Sequence, residues 1–151
     1  MFIDFTEVEL IAGNGGKGSI HFRREKFVPK GGPDGGDGGR GGHIVFCADS
    51  NLHTLQDIRY HKRYKAEDGD PGGGSRKTGK NGEDVTVRVP IGTIIREKES
   101  SNIIADLVEN GQSIIVCEGG RGGKGNIRFK SATNRAPRKA QPGESGASGK
   151  Y

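Results

Sequence analysis

Apolar residues along the chain fall in short runs of period two, separated by long stretches with almost no apolar side chain. Residues 2–12 set Phe5, Val8, Leu10 and Ile11 among Asp4, Thr6, Glu7 and Glu9, the imperfect alternation of an edge or bulged strand. SIHFRR puts Ile20 and Phe22 on one side and His21 and Arg23 on the other, which predicts a second strand. HIVFCA is a continuous apolar run, suited to a strand buried on both faces. Leu52, Leu55 and Ile58 then recur every third residue before IRYHKRY alternates, predicting a short helical turn followed by a strand. Val85, Val87 and Val89 share one face of a strand that Pro90 ends. IGTIIRE and NIIADL flank the polar turn KESS, and SIIVC follows Asn110-Gly111, so hairpins are expected throughout this part. A helix over 102–109 is the alternative that the spacing partly fits.

Glycine fills the gaps between these runs. From Gly31 to Gly42, GGPDGGDGGRGG, eight of twelve residues are glycine, paired at every third position. Period three belongs to neither helix nor strand but matches the left-handed polyproline II helix, which has no internal hydrogen bonds. Its backbone groups therefore need neighbouring strands as partners. Candidates are Gly13 to Gly18, Gly69 to Gly82 and Gly119 to Gly125. The structural glycines of the central stretch are then Gly31, Gly32, Gly35, Gly36, Gly38, Gly39, Gly41 and Gly42. A flexible linker is the usual reading of such composition, but predicted strands tether each stretch at both ends. Two segments also repeat: GNGGKGSIHFR from Gly13 and GRGGKGNIRFK from Gly120 share seven of eleven positions, which suggests one local unit used twice.

Composition sharpens this picture. Leu, Ile, Val and Phe number 31 of 151 residues while Gly alone numbers 28, so part of the interior of this single domain should be packed backbone. Ordering glycine is entropically costly, so such an arrangement calls for a reason beyond stability. A net charge of +5 makes an anionic partner worth considering. Cys47 and Cys117 each end an apolar run without a C-x-x-C partner, which favours reduced buried thiols in a cytoplasmic protein. No run is long enough to span a membrane, and the acidic N-terminus lacks the basic start of a signal peptide.

Catalytic chemistry finds little support. Both repeats match G-x-G-x-x-G, but a dinucleotide fold requires a helix after the glycines and a strand is predicted after each. GSRKTGKN, Gly74 to Asn81, misses Walker A by one residue, because Asn81 stands where a Ser or Thr would hold magnesium. GGDGGR has Arg40 where a calcium β-roll repeat needs Asp, and the four histidines show no metal-ligand spacing. Asp34, Asp37, Asp68 and Asp70 lie in glycine-rich stretches without the apolar surroundings that tune a general acid, so turn-forming and solvating roles are expected. No catalytic residue, metal site or cofactor is expected in this chain.

The basic residues remain. Gly119 to Gly143 holds Arg121, Lys124, Arg128, Lys130, Arg135, Arg138 and Lys139 and no acid; Arg76, Lys77 and Lys80 form a second group. Arg23, Arg24, Lys26 and Lys30 lead into the central stretch, and Arg59, Lys62, Arg63 and Lys65 alternate with Tyr60 and Tyr64. On projecting loops such arrays suit phosphate contacts, and folded RNA is read largely by shape and backbone.

GNGGKG, FVPKGGPDGGDGGRGGHIVF, VPIGT, GGRGGKGN and SATNRAPRKAQPGE, in this order and spacing, closely resemble the N-terminal domain of Obg (CgtA) GTPases over residues 1–151. The resemblance implies a mainly β fold in which a glycine-rich bundle of left-handed polyproline-II-type helices stands on a small β-barrel or sandwich base. It also implies a cytoplasmic, ribosome-associated role in large-subunit assembly, with the glycine-rich end binding ribosomal RNA near the peptidyl transferase centre in partial mimicry of tRNA. GTP and Mg2+ would belong to a GTPase domain absent from this chain. RNA-binding candidates carried over are Lys26, Lys30, Arg40, Arg76, Lys77, Lys80, Arg135, Arg138 and Lys139, in a monomer with no membrane partner. The alternative is a protein-interaction module docking on the GTPase domain or on a stress-signalling partner.

Overall fold

The computed structural model describes residues 4–23, 31–131 and 134–151. Among these residues, eight short strands make three small sheets. One joins β1 (Glu9–Ile11) to β3 (Arg63–Lys65) in parallel and to β8 (Ser148–Lys150) antiparallel. A second places β2 (Ile44–Ala48) between β4 (Val85–Val89), parallel, and β7 (Ser113–Cys117), antiparallel. The third is the hairpin of β5 (Thr93–Arg96) and β6 (Ile103–Leu107). Helix α1 is one short turn, Gln56–Tyr60, and a 3-10 helix covers Asn126–Phe129. The fold is mainly β, and its sheets surround one core without closing into a barrel.

Period two positions the core. Ile44, Phe46 and Ala48 point inward from β2, and Val87 and Val89 from β4, to meet Leu10, Ile95, Leu107 and Cys117. Val45 and Cys47, on the other face of β2, are only half-buried, so the expectation of burial on both faces holds for one face only. A helical turn followed by a strand forms in the predicted order, but the turn extends to Tyr60, so the first three residues of IRYHKRY are helical and the strand is only Arg63–Lys65. The β5–β6 hairpin forms as predicted and excludes the helix over 102–109. The Asn110-Gly111 turn forms with Gly111 at φ +82°, yet β7 pairs with β2 rather than folding back on β6. The Gly111 amide bonds to Ala48, and the Gln112 side chain takes the Val108 and Glu109 amides. The first bond ties the turn to β2, and the Gln112 bonds close the turn on itself.

Among the described residues, six further segments, neither helix nor sheet, stand on these strands: g1 (12–19), g2 (34–42), g3 (66–73), g4 (76–84), g5 (118–125) and g6 (141–147). Gly13, Gly16 and Ser19 of g1 donate to Gly42, Gly39 and Gly36 of g2, while Gly36, Gly39 and Gly42 donate to Gly73, Asp70 and Glu67 of g3. Gly38 and Gly41 donate to Gly123 and Gly120 of g5, which in turn bonds back to g1 through Gly120 to Gly13 and Gly123 to Gly16. Bonds to any one neighbour thus recur every third residue, the pitch of polyproline II. Gly15 and Gly18 reach g6, and Gly79 and Gly82 of g4 reach g2. Consequently g1 and g2 are each surrounded by four neighbours, and backbone amides are satisfied between segments rather than within them.

Close packing explains the glycines. A Cβ on Gly35, Gly36, Gly38, Gly39, Gly41 or Gly42 would lie 1.8–2.1 Å from a neighbouring carbonyl oxygen, and one on Gly31 would lie 1.8 Å from that of Arg23. Gly32 differs, meeting only Lys130 Nζ at 3.7 Å.

Two strands predicted after glycine runs do not form. Among the described residues, Ser19–Arg23 makes a single antiparallel bridge, Phe22 to Pro33, closed by the bonds from the Asp34 amide to His21 and from the Arg23 amide to Gly32. The corresponding Ile-x-Phe of the second repeat winds into the 3-10 helix. The repeat is therefore real in g1 and g5, which bond side by side in parallel, and ends where their glycines end.

Candidate nucleic-acid interface

Topology sorts the loops. Segments g1, g3 and g5 leave β1, β3 and β7, whereas g2, g4 and g6 lead into β2, β4 and β8. The described parts of the connections g1–g2, g3–g4 and g5–g6 therefore gather at the end away from the sheets. At ~3.1 Å per residue, seven residues of bundle carry them roughly 20 Å out.

Polar side chains lock this loop end. Asp34, only 8% exposed, accepts from His21 Nδ1 at 2.5 Å and from the Ser75 amide at 3.1 Å, joining the first two connections. Burial works to raise its carboxyl, but the His21 hydrogen bond and the Ser75 amide outweigh that and hold it below the usual range. Asp37 accepts from the Gly125 amide at 2.9 Å and from Arg128 Nη2 at 2.7 Å, and these bonds overcome burial to keep it ionised at lower pH than usual. Fully buried Asn126 accepts from the Gly35 amide at 2.8 Å and donates to the His21 and Pro137 carbonyls, each at 3.1 Å. At the sheet end, Asp84 accepts from the His43 amide, the leading cause of its lowered pKa, and pairs with Arg40 at 3.3 Å. His43 Nδ1 accepts from the Gly119 amide.

These contacts correct the expectation that Asp34 and Asp37 act as turn formers and solvating groups. Asp34, Asp37 and Arg40 are the third-position residues of g2 and His43 follows at the same spacing; three of the four accept an amide hydrogen bond with their side chains, from Ser75 of the g3–g4 connection and from Gly125 and Gly119 of g5. Their spacing of three was the one signal that could have revealed this, since it equals the pitch of the glycine pairs.

The candidate RNA-binding residues divide by position. Arg76 and Lys77 follow the g3–g4 turn, where Ser75 and Arg76 adopt φ of 57° and 59°. Arg135, Arg138 and Lys139 lie on the g5–g6 connection, and all five are exposed at the loop end. Arg138 lies 5.7 Å over the Phe22 ring and Lys139 4.8 Å over that of Phe129, so both cations rest on rings that hydrophobic patterning assigned to strands. Among the described residues, no carboxylate pairs with any of the five. Lys80 lies further down g4, and Arg40 sits at the sheet end, away from the loops and paired with Asp84. Lys26 and Lys30 lie outside the described residues. A groove of about 300 Å³ lies between the connections, lined by Gly36, Asp37, Arg76, Thr78, Ile127 and Arg128.

Near-matches to catalytic motifs dissolve in this geometry. GSRKTGKN is the g3–g4 turn and g4 itself, leading into β4, so no helix N-terminus faces its glycines. Cys47 and Cys117 are free thiols, Cys117 being buried and its pKa pushed up by that burial. Among the described residues, no group of three His, Cys, Asp or Glu could hold a metal ion, and no helix is long and apolar enough to cross a membrane. At the sheet end, a cleft of about 680 Å³ is walled by Phe5, Val8, Ile58, Val89, Ile91 and Ile94, among others.

Comparison with known proteins places the chain. The family description GTP1/OBG matches residues 3–151. Proteins named GTPase Obg are similar over almost all of it: that of Chlorobaculum parvum is 55% identical over 145 residues, 96% of this chain and 43% of its own length. That of Chloroherpeton thalassium is 56% identical over 142 residues, 94% of this chain and 43% of its own length. That of Desulfitobacterium hafniense (strain DCB-2) is 52% identical over 146 residues, 97% of this chain and 34% of its own length. The chain spans less than half the length of these relatives. Together with the six packed glycine segments on their β base, these matches show that the chain belongs to the GTP1/OBG family.

Proposed function

We propose that this domain docks on the large ribosomal subunit during its assembly, entering ribosomal RNA near the peptidyl transferase centre with its loop end. The carrying observation is the placement of Arg76, Lys77, Arg135, Arg138 and Lys139, exposed and without carboxylate partners among the described residues, on two connections at one end of a stiff bundle. A narrow RNA cavity excludes a broad globular surface but admits slender segments whose side chains are small. Cations held at fixed separations then meet phosphates without the ordering cost a flexible tail would incur. GTP and Mg2+ act in the GTPase domain of the longer protein and control release, in the cytoplasm on ribosomal particles. Lys80 contacts the flank of the cavity and Arg40 its rim, and Lys26 and Lys30, which lie outside the described residues, are further candidate phosphate contacts.

Co-sedimentation with purified large subunits across a salt series, without nucleotide, tests this. About six phosphate contacts give a log–log salt slope near −4 to −5. Absence of saturable binding at low salt overturns the reading for this domain. A second reading, docking on the GTPase domain or on a stress-signalling protein, draws on the apolar cleft at the sheet end and would respond only weakly to salt.

A further inference from the structure

The sequence holds a second interleaving of cations and aromatic rings, and the fold places it far from the loops. Residues 59–65 run from the end of α1 into β3, directly before g3 leaves the sheets. β3 is an edge strand: its order is β3-β1-β8, so one side pairs with β1, and no described strand covers the other. Ile58 turns into the core, whereas the next residues turn outward. Tyr60 is 75% exposed, and Arg59, His61, Lys62, Arg63 and Lys65 are exposed as well. The rings of His61 and Tyr64 stack at 4.5 Å between centroids and 12° between planes. Arg63 lies 3.9 Å from Glu9. Among the described residues, no carboxylate pairs with Arg59, Lys62 or Lys65.

Two features separate this face from an ordinary solvated one. Four cations in seven residues, Arg59, Lys62, Arg63 and Lys65, contain no acid between them; Glu7, acting on Lys62, Glu9 and Asp57 are acids that act on the face from outside it. Its largest exposed ring, Tyr60, contributes nothing to the core that Ile58 enters. Solvation alone does not require an aromatic ring there. Exposed rings beside unpaired cations are the elements of single-stranded nucleic-acid binding, where bases stack on any available ring face and phosphates meet nearby cations.

We propose that residues 59–65 form a second nucleic-acid contact, a stacking and phosphate-binding face for unpaired RNA at the sheet end. Tyr60 supplies the free stacking surface, the His61–Tyr64 pair a second one, and Arg59, Lys62 and Lys65 the phosphate contacts. The site goes beyond docking by the loop end and would let one domain hold a flexible RNA strand while its loops occupy a folded cavity.

The test uses a fluorescein-labelled oligouridylate and this chain, with anisotropy read across a salt series. Tyr60→Ala should weaken binding about tenfold without changing the salt slope, since stacking contributes roughly 1–3 kcal/mol per base, and Tyr60→Phe should restore it. Arg59→Gln with Lys62→Gln should flatten the slope by about 1.4, at ~0.7 per phosphate on single strands. Replacing Arg76, Lys77, Arg138 and Lys139 with Gln should leave oligouridylate binding in place while weakening large-subunit binding. Failure of the wild-type chain to bind the oligonucleotide overturns the proposal, as does binding unaffected by the Tyr60 and Arg59/Lys62 variants. Displacement by polyglutamate, with Tyr60→Ala silent, would assign the face to an acidic polypeptide and overturn it equally. None of these outcomes alters the large-subunit measurement, so the two readings fail independently.

Discussion

Gly38→Ala is the most direct probe of how the bundle is held together. A Cβ at this position would stand 1.8 Å from the Gly16 carbonyl oxygen, 2.3 Å from its carbon and 2.9 Å from the Lys17 oxygen. All three are main-chain atoms, so no rotamer change can relieve the clash, and g1 and g2 must part by roughly 1 Å or more to reach ordinary contact. That shift acts on the hydrogen bonds from Gly16 to Gly39, Gly38 to Gly123 and Gly123 to Gly16, now 2.8–2.9 Å long. Stretching them beyond useful length costs about 1 kcal/mol each, and more where the freed groups are excluded from water. A total of about 3–6 kcal/mol is a large part of the ~5–15 kcal/mol available to an ordinary domain. At ~2–4 °C per kcal/mol for a chain of this size, the melting temperature should drop about 10–20 °C. Hydrogen exchange should accelerate at Gly16, Gly38 and Gly123 before it does in β2. Gly32→Ala is the matched control, because its Cβ meets only the far end of Lys130 and the unfolded chain loses freedom; it should melt within a few degrees of wild type. Equal melting of the Gly38 and Gly32 variants would refute the packed-backbone account.

Other consequences are open to measurement. Asn126→Ala removes three hydrogen bonds from a fully buried site and should destabilise the domain by about 3 kcal/mol in urea titrations; a loss below about 1 kcal/mol would mean water replaces the amide. Asp34, Asp37 and Asp84 have folded-state pKa values below their ordinary ones, so the native state binds fewer protons than the unfolded chain near pH 4. Their stabilisation is present above pH ~4 and is lost as pH falls through the lowered folded values. The triple Asn variant should therefore show a shallower decline in urea midpoint between pH 6 and pH 3. Leu107→Ala empties a fully buried position and should cost about 2–5 kcal/mol, while the Arg76/Lys77/Lys80→Ala variant should melt like wild type yet bind large subunits with a flatter salt dependence. Unchanged affinity in that last variant would remove the g3–g4 turn from the interface.

Period two made the core strands legible because each has one face in the common core: Val85, Val87 and Val89 declare β4 without reference to any other residue. Period three made the bundle legible in the same way, through the paired glycines of g2. Ser19–Arg23 and Asn126–Phe129 misled for the opposite reason. Their Ile-x-Phe alternation is genuine, but among the described residues the first finds a single bridge partner, Pro33, and the second winds into a 3-10 helix at Asn126. Partnership across sequence was equally hidden. Nothing local to Asn126 announces that it bonds to Gly35, and nothing local to Arg40 announces that Asp84, 44 residues on, pairs with it. Charge count located the cations, whereas topology decided which of them share an end.

The glycine content also explains why the loop end can be both remote and fixed. A sheet carrying the same three connections would need side chains on both faces, and a helical stalk would be about 10 Å wide for every segment. Segments with glycine at two positions in three, as in g1, g2 and g5, or about one in three, as in g3, g4 and g6, pack main chain against main chain, so the six fit in a slender bundle whose backbone amides are shared between neighbours. Each ordered glycine loses more conformational entropy than another residue would, and the hydrogen-bond ladders offset that loss only while every neighbour stays in register. Shear between segments would break several bonds at once, which makes the bundle stiff. His21, Asp34 and Asn126 then tie the connections to one another and to g2 at the point where the ladders stop. If docking into RNA depends on that stiffness, Asn126→Ala should weaken large-subunit binding at temperatures where the sheets remain folded. Its salt slope should stay unchanged, because no cation is lost and only the ordering cost of the loops is added to binding. A flatter slope would mean that Asn126 instead sets which cations reach phosphate.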